Sequence, residues 1–246
     1  MKKNDFIEID YTAKIKNTGE VFDLTSEKKA KELNIYNSKY SYHPIIIILG
    51  QGFILKSLED KVFKIDEKDI GKEFTFAFKP EEAFGPREPK LIRTFPSSFF
   101  KAKEMTPVVG QTIDLEDKNG KKMTGKIMSV SAGRIRVDFN QVLAGKEIEY
   151  DFIIKRKITD EKEKINALQE FFFKQKFEFE IKDKKVIFKK QEIKPLIEMM
   201  KQKFKDMTGL DFEVAENDKH FRGPQKSGIS AVKDKKVIFK DSKLKP

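Results

Sequence analysis

From Asp5 to Lys16 apolar and polar residues alternate, with Phe6, Ile7, Ile9, Tyr11, Ala13 and Ile15 mostly on one side. Asn17-Thr18-Gly19-Glu20 then turns the chain into Val21-Phe22-Asp23. A period of two on either side of a turn cluster predicts a β-hairpin. Ser26 to Leu33 reads as a short helix capped by Thr25 or Ser26, and Pro44 to Leu49 as a strand that Gly50-Gln51-Gly52 breaks. The spacing of Ile54, Leu55, Leu58 and Val62 predicts a helix over Phe53 to Val62, and Phe74, Phe76 and Phe78 alternate along a further strand, Glu73 to Phe78. The composition of Pro80 to Pro86 predicts an ordered loop.

The pattern restarts at Arg87. Leu91 to Phe95 reads as a strand, Pro96-Ser97-Ser98 as a helix start, and strands follow near Thr112 to Glu116, Met123 to Val130 and Ile135 to Phe139, with turns at Asn119-Gly120 and Ala132-Gly133. Lys146 to Lys157 then alternates strictly through Ile148, Tyr150, Phe152 and Ile154, in the style of the first segment. A strand that closes a sheet after a self-contained set of hairpins suggests an inserted domain. Beyond Ile158 the reading is a helix over Thr159 to Lys176, a hairpin over Phe177 to Lys190, a helix over Glu192 to Thr208 stopped by Gly209, a strand over Leu210 to Val214 and a last hairpin. The octapeptide KDKKVIFK occurs at Lys182 to Lys189 and again at Lys233 to Lys240; two copies read as two similar hairpin strands or a local duplication, not a solenoid.

Length and composition narrow the function. At 246 residues the chain is long enough for two or three units. It has no Cys, which excludes a disulfide framework, a thiol nucleophile and Cys-ligated metal, and its two His leave little for a His-based metal site. The longest strongly apolar run, Pro44 to Leu49, is far short of the roughly 20 residues that cross a bilayer. MKKNDFIEIDY has no apolar stretch behind its basic residues, so a cytoplasmic location and no membrane partner are expected. Of the net charge of +11, +7 lies in residues 157–246, but the basic residues there alternate with acids, and a nucleic-acid partner is not expected.

No Ser/His/Asp arrangement, phosphate-binding glycine loop or metal-ligand spacing appears. Instead Asp10-Tyr11-Thr12, Gly19-Glu20-Val21-Phe22-Asp23, Leu49-Gly50 through Ile54-Leu55-Lys56-Ser57-Leu58-Glu59, Ala83-Phe84-Gly85 and Asp138-Phe139-Asn140 with Leu143-Ala144-Gly145-Lys146 follow one another. In that order and spacing residues 1–156 resemble an FKBP-type peptidyl-prolyl isomerase of the SlyD-like group. Residues 157–246 resemble the extra C-terminal domain of long archaeal members.

The resemblance implies an α+β fold: an antiparallel curled sheet around a short helix (1–86 and 138–157), a small β-rich insert-in-flap chaperone domain (87–137) and a C-terminal α+β domain (158–246). It implies catalytic roles for Tyr11, Asp23, Leu55, Phe84 and Tyr150, the Leu55 amide holding a substrate carbonyl. Phe22, Ile45, Ile54, Leu58 and Leu143 would contact substrate, and Phe99 and Phe100, which taken alone read as plain core, would form an apolar client surface on the insert. No cofactor and no metal are implied. Taken alone, Phe22, Ile54, Leu55, Leu58 and Tyr150 read as ordinary core residues, and Asp23 as a turn residue or cap. Phe84 stands where the family usually has Tyr, Ser57 where Gly is common and Gln141 where His is common.

The expected function is isomerisation of Xaa-Pro bonds with chaperone activity toward unfolded, proline-containing polypeptides. The rivals are a chaperone with little catalysis and a ribosome- or RNA-associated folding factor. The run Phe171-Phe172-Phe173 spans about 200° of a helix, wider than one apolar stripe, so at least one ring should meet another surface; a homodimer through the C-terminal domain is expected on that ground.

Overall fold

The computed structural model describes residues 1–116, 120 and 122–215. The first alternating segment is strand β1 (Phe6–Ile15), and the turn after it returns the chain into β2 (Val21–Leu24), antiparallel to β1 with Ala13 opposite Asp23. Helix α1 (Glu27–Glu32) starts where the Ser26 hydroxyl accepts the Lys29 N–H. Strand β3 (Ile45–Ile48) pairs with the other edge of β1, Phe6 opposite Ile48 and Ile9 opposite Ile45.

Helix α2 (Lys56–Val62) begins three residues later than the spacing predicts. Gly50 and Gly52 take φ of +80° and +71°, conformations that side chains disfavour, and Leu55 keeps an extended ψ of 130°. Phe53, Ile54 and Leu55 are therefore an approach to the helix, and Leu55 is its N-cap residue.

After β4 (Glu73–Phe78) and a 3₁₀ turn at Pro80–Glu82 come β5 (Ile92–Pro96), α3 (Ser97–Lys101), β6 (Thr112–Glu116), β7 (Lys122–Ser131) and β8 (Arg134–Asp138). Strand β9 (Ile148–Ile158) leads to α4 (Glu161–Phe173), β10 (Phe179–Lys182), β11 (Lys185–Phe188), α5 (Lys194–Thr208) and β12 (Asp211–Val214). The expected last hairpin, with the second KDKKVIFK copy, lies outside the described residues, as does Asn119 of the expected turn.

The chain divides into two compact units, Met1–Phe76 with the chain from Glu149 onward, and Ala77–Ile148. In the first, β2, β1, β9 and β4 lie side by side, with β3 also on β1. Its core is the inward face of these strands, Ile7, Ile9, Phe152 and Ile154, closed by Leu58 and Val62 of α2. A separate sheet has the order β10-β11-β12. Strands β11 and β12 are parallel, Val186 beside Phe212, which requires the crossover that α5 supplies. Phe204 of α5 packs on Phe212 and on Phe172 and Phe173 of α4. Helix α4 stops at Phe173 rather than Lys176: Lys174 turns to φ +57°, and the buried Gln169 side-chain carbonyl accepts the Phe177 N–H.

The second unit is a four-stranded sheet, β5-β8-β7-β6, over α3. Phe100, Ile113, Leu115, Ile127, Ile135 and Val137 are its buried core, with Phe95, Phe99, Met105 and Phe139 packed on them. Ala132 and Gly133 both have positive φ, the two-residue hairpin turn that matches strand twist. Gly125, in the middle of β7, leaves the space into which the Phe139 ring and Val137 fit: a Cβ there would stand 2.6 Å from Val137 Cγ1 and 2.7 Å from the ring.

Candidate active site

The site begins with the register of β1 and β2. Because Ala13 lies opposite Asp23, Tyr11 is the diagonal neighbour of Asp23 on the same face, within reach of a long side chain. The Tyr11 hydroxyl donates to Asp23 Oδ2 at 2.8 Å. The next strand in the sheet, β9, supplies Tyr150, whose ring lies 5.9 Å from that of Tyr11 and meets Phe22 edge-on at 6.4 Å. Tyr11, Phe22, Asp23 and Tyr150, four residues expected in the site, are thus one cluster.

Its main chain is fixed from beneath. Thr25 Oγ1 accepts the Tyr11 N–H at 2.9 Å and lies against the Asp10 carboxylate, while the Thr25 N–H donates to the Tyr11 carbonyl at 3.1 Å. Burial raises the Asp23 carboxyl above its usual range, although the Tyr11 hydroxyl and the Leu24 N–H oppose the shift. Burial and the nearby Asp23 charge push both the Tyr11 and the Tyr150 hydroxyls upward, so each keeps its proton at any ordinary pH.

Three further expected site residues come from β3 and the approach to α2. Ile45 is half-buried opposite Ile9, and Ile54 and the half-buried Leu55 lie on the approach to α2. Leu58, expected to contact substrate, is instead fully buried on the inward stripe of α2. Sequence reasoning gave Glu59 no role. Its buried carboxylate accepts the Gly50 N–H at 2.7 Å, and its own N–H donates to the Leu55 carbonyl at 2.9 Å, tying the glycine turn to the helix start. The available signal was an acidic residue four positions after Leu55 on an apolar helix face.

Phe84, Leu143, Phe99 and Phe100 belong to the second unit. Phe84 is half-buried after the 3₁₀ turn, and the Gly145 N–H donates to the Gly85 carbonyl at 2.8 Å, which joins the Ala-Phe-Gly loop to the turn that carries Leu143. Asn140 clasps both main-chain groups of Glu88, its Oδ1 accepting at 2.8 Å and its Nδ2 donating at 3.0 Å, beside an Arg87–Asp138 ion pair. Burial works against ionisation of Asp138, but Asn140 and Arg87 hold its carboxyl below the usual range. The Asp-Phe-Asn motif is therefore a clasp within this unit. Phe100, expected on a client surface, is fully buried: α3 turns it into the core, where it holds the unit together, and Phe99 is half-buried against it. The exposed apolar residues are Val108, Val109, Met128, Val130 and Val142.

A family model described as the FKBP26 IF domain matches residues 93–143. The chain is 30 % identical over 155 residues to the short-type peptidyl-prolyl cis-trans isomerase of Methanocaldococcus jannaschii, a match covering 63 % of this chain and 92 % of that protein. The chain belongs to the FKBP-type peptidyl-prolyl isomerases. It is also 31 % identical over 109 residues to the FKBP-type 16 kDa peptidyl-prolyl cis-trans isomerase of Escherichia coli, covering 44 % of this chain and 70 % of that protein. With the SlyD isomerase of Helicobacter pylori it shares 26 % over 130 residues, 52 % of this chain and 68 % of that one. In this FKBP-type chain, the aromatic cluster and the Gly50–Leu55 segment lie in the first unit, and the matched IF segment lies in the second.

Proposed function

We propose that the protein isomerises Xaa-Pro bonds of polypeptide clients at the Tyr11–Asp23–Tyr150 cluster, and that its inserted unit captures apolar client segments. One observation carries the reading: a buried aromatic cluster holds a single carboxylate by a tyrosine hydroxyl, at 2.8 Å. Rotation about Xaa-Pro is opposed by amide resonance, a barrier of about 18–20 kcal/mol, and makes or breaks no covalent bond. The twisted amide is less dipolar than the planar one. Apolar walls from Phe22, Ile45, Ile54 and Tyr150 therefore favour it over the planar ground state. In this reading the Leu55 amide, at the N-cap of α2, holds a substrate carbonyl, and Asp23, which accepts from the Tyr11 hydroxyl, orders the aromatic wall.

Val108 and Val109, 59 % and 60 % exposed, support client capture by the insert. A chain segment held there has a raised effective concentration at the pocket. Among the described residues no helix is long and apolar enough to cross a membrane. Self-association through the C-terminal region is also part of the proposal. The rings of Phe171, Phe172 and Phe173 all find partners within the chain, so its support is Met199, 72 % exposed on α5. Two-dimensional exchange NMR on an Xaa-Pro peptide tests the central claim: accelerated cis/trans exchange is expected, and exchange at the uncatalysed rate refutes it.

A further inference from the structure

We propose that α4 and α5 brace the segment Gly50–Leu55, with Phe171 and Asn4 as positioning residues of the isomerase site. The inference rests on the isomerase reading above. The segment joins β3 to α2, carries two of the expected substrate-facing residues, Ile54 and Leu55, and has no regular structure of its own. Within the sheet-and-helix part of the unit, Glu59 holds it at Gly50. Its next two anchors lead to the C-terminal helices.

The first anchor is aromatic. The Phe53 ring, directly before Ile54 in the chain, lies 3.8 Å from the centroid of Phe171 and 6.3 Å, edge-on, from that of Phe172, both in the last turn of α4. Phe53 is 7 % exposed, whereas Phe171 is 41 % exposed, with Lys174 Nζ 5.0 Å from its ring centroid. Phe171 is thus a cover over Phe53 and not a core residue of the α4–α5 pair; Phe172 and Phe173 fill that role against Phe204.

The second anchor is polar. Gln51 Nε2 donates to Asn4 Oδ1 at 3.0 Å, and Asn4 Nδ2 donates to the Asp206 carbonyl at 2.6 Å. Asp206 is in the last turn of α5, where carbonyls have no partner inside the helix, so this bond answers a standing need of the helix end. Asn4 takes φ +67°, a left-handed conformation that Asn adopts more readily than most residues, and it spends both ends of its amide on the link. Two alternate residues of one six-residue segment, Gln51 and Phe53, are therefore tied to α5 and α4. A structural function alone, joining the C-terminal region to the sheet, is already served by Arg156 of β9, which pairs with Glu8 of β1 and Glu163 of α4.

Positioning by remote contacts is worth a measurable share of rate because small misplacements at a bound substrate are amplified. The test uses the full chain, with kcat and KM measured on an Xaa-Pro peptide and the Leu55 amide resonance followed by NMR. Phe171→Ala removes the cover, and Asn4→Asp keeps the acceptor for Gln51 but loses the donor to Asp206. Each should lower kcat/KM about threefold to tenfold and shift the Leu55 amide. Phe171→Tyr, which retains the ring, should restore both readouts, and Lys201→Ala on the exposed side of α5 should change neither. Unchanged kcat/KM and an unmoved Leu55 amide in both variants overturn the brace. If Phe171→Ala does not fold, Phe171→Leu and Asn4→Asp decide. An inactive wild type would overturn the isomerase reading, and the Leu55 amide would still report whether the brace exists.

Discussion

Tyr11 and Asp23 are joined by a hydrogen bond between the second-neighbour positions of an antiparallel pair, with the hydroxyl at 2.8 Å from the carboxylate. The bond turns two strands of the sheet into one wall of the site, and Tyr150 reaches the same ring from the next strand. Asp23→Ala and Tyr150→Ala should each lower the isomerase rate by about fivefold to fiftyfold, the scale of losing a group that positions rather than reacts. Exchange NMR on a proline peptide reads this directly; wild-type rates in both variants would remove the cluster from the mechanism.

The same carboxylate leaves a signature in stability. Its pKa in the folded protein lies above the ordinary value of about 3.9, so between those two pH values the folded state holds a proton that the unfolded state has released. Stability from this group therefore falls as pH rises through that interval and grows as pH drops through it. Glu163 and Asp138, held below their usual ranges, act in the opposite sense, so the comparison must be made against Asp23→Asn. Denaturant midpoints at pH 7 and in mild acid should show wild type gaining on Asp23→Asn as pH falls. A constant difference would contradict the assignment.

Gly125→Ala should destabilise the inserted unit by about 1–3 kcal/mol, because the new methyl must displace Val137 or the Phe139 ring. Phe100→Ala should cost about 3–5 kcal/mol there. Hydrogen exchange should show faster opening of β5 to β8, with β1 and β9 nearly unaffected. Uniform protection across both variants and wild type would mean that the sheet relaxes around the methyl and the cavity.

Charging the exposed valines separates the two proposed activities. Val108→Asp with Val109→Asp should leave peptide isomerisation near wild type and sharply reduce acceleration of a proline-limited refolding reaction. Equal acceleration by the variant and wild type would place client capture elsewhere.

Multi-angle light scattering at micromolar concentration addresses self-association. A dimer that Met199→Glu converts to a monomer is the expected outcome; a monomeric wild type ends that part of the proposal.

Much of this was legible in the chain before any coordinates. The strict alternation along Ile148 to Ile154 of β9 gave its buried face away, because the fixed period leaves no choice of face, and the looser alternation of β1 showed a strand with most of its apolar residues on one side. Short elements were harder. Five-residue α3 is too brief to show which of Phe99 and Phe100 points inward; taken alone the pair read as plain core, and the family resemblance put both outside. The apolar spacing at Phe53 to Leu55 imitated a helix that the two glycines postpone. Contacts between distant segments were not legible at all. The width of the Phe171–Phe173 arc showed that some ring needed a partner, but nothing in the pattern pointed to Phe53, more than a hundred residues earlier. Glu59 and Asn140 stood within recognisable motifs, yet their hydrogen bonds to Gly50 and Glu88 depend on turns whose geometry only the fold specifies.

The chain passes from the first unit to the second near the end of β4 and returns at the start of β9, and these two strands are neighbours in one sheet. Thr75 Oγ1 and Asp151 Oδ1, 3.0 Å apart, mark how closely the outgoing and returning strands run. Seventy-odd residues are thus spliced into what is topologically a hairpin, and the entropy of closing so long a loop is met by the insert's own folding rather than by the catalytic sheet. That makes the junction a socket. A change in the insert's length need not alter the register of β4 against β9, because the Thr75–Asp151 contact that marks it lies within the sheet.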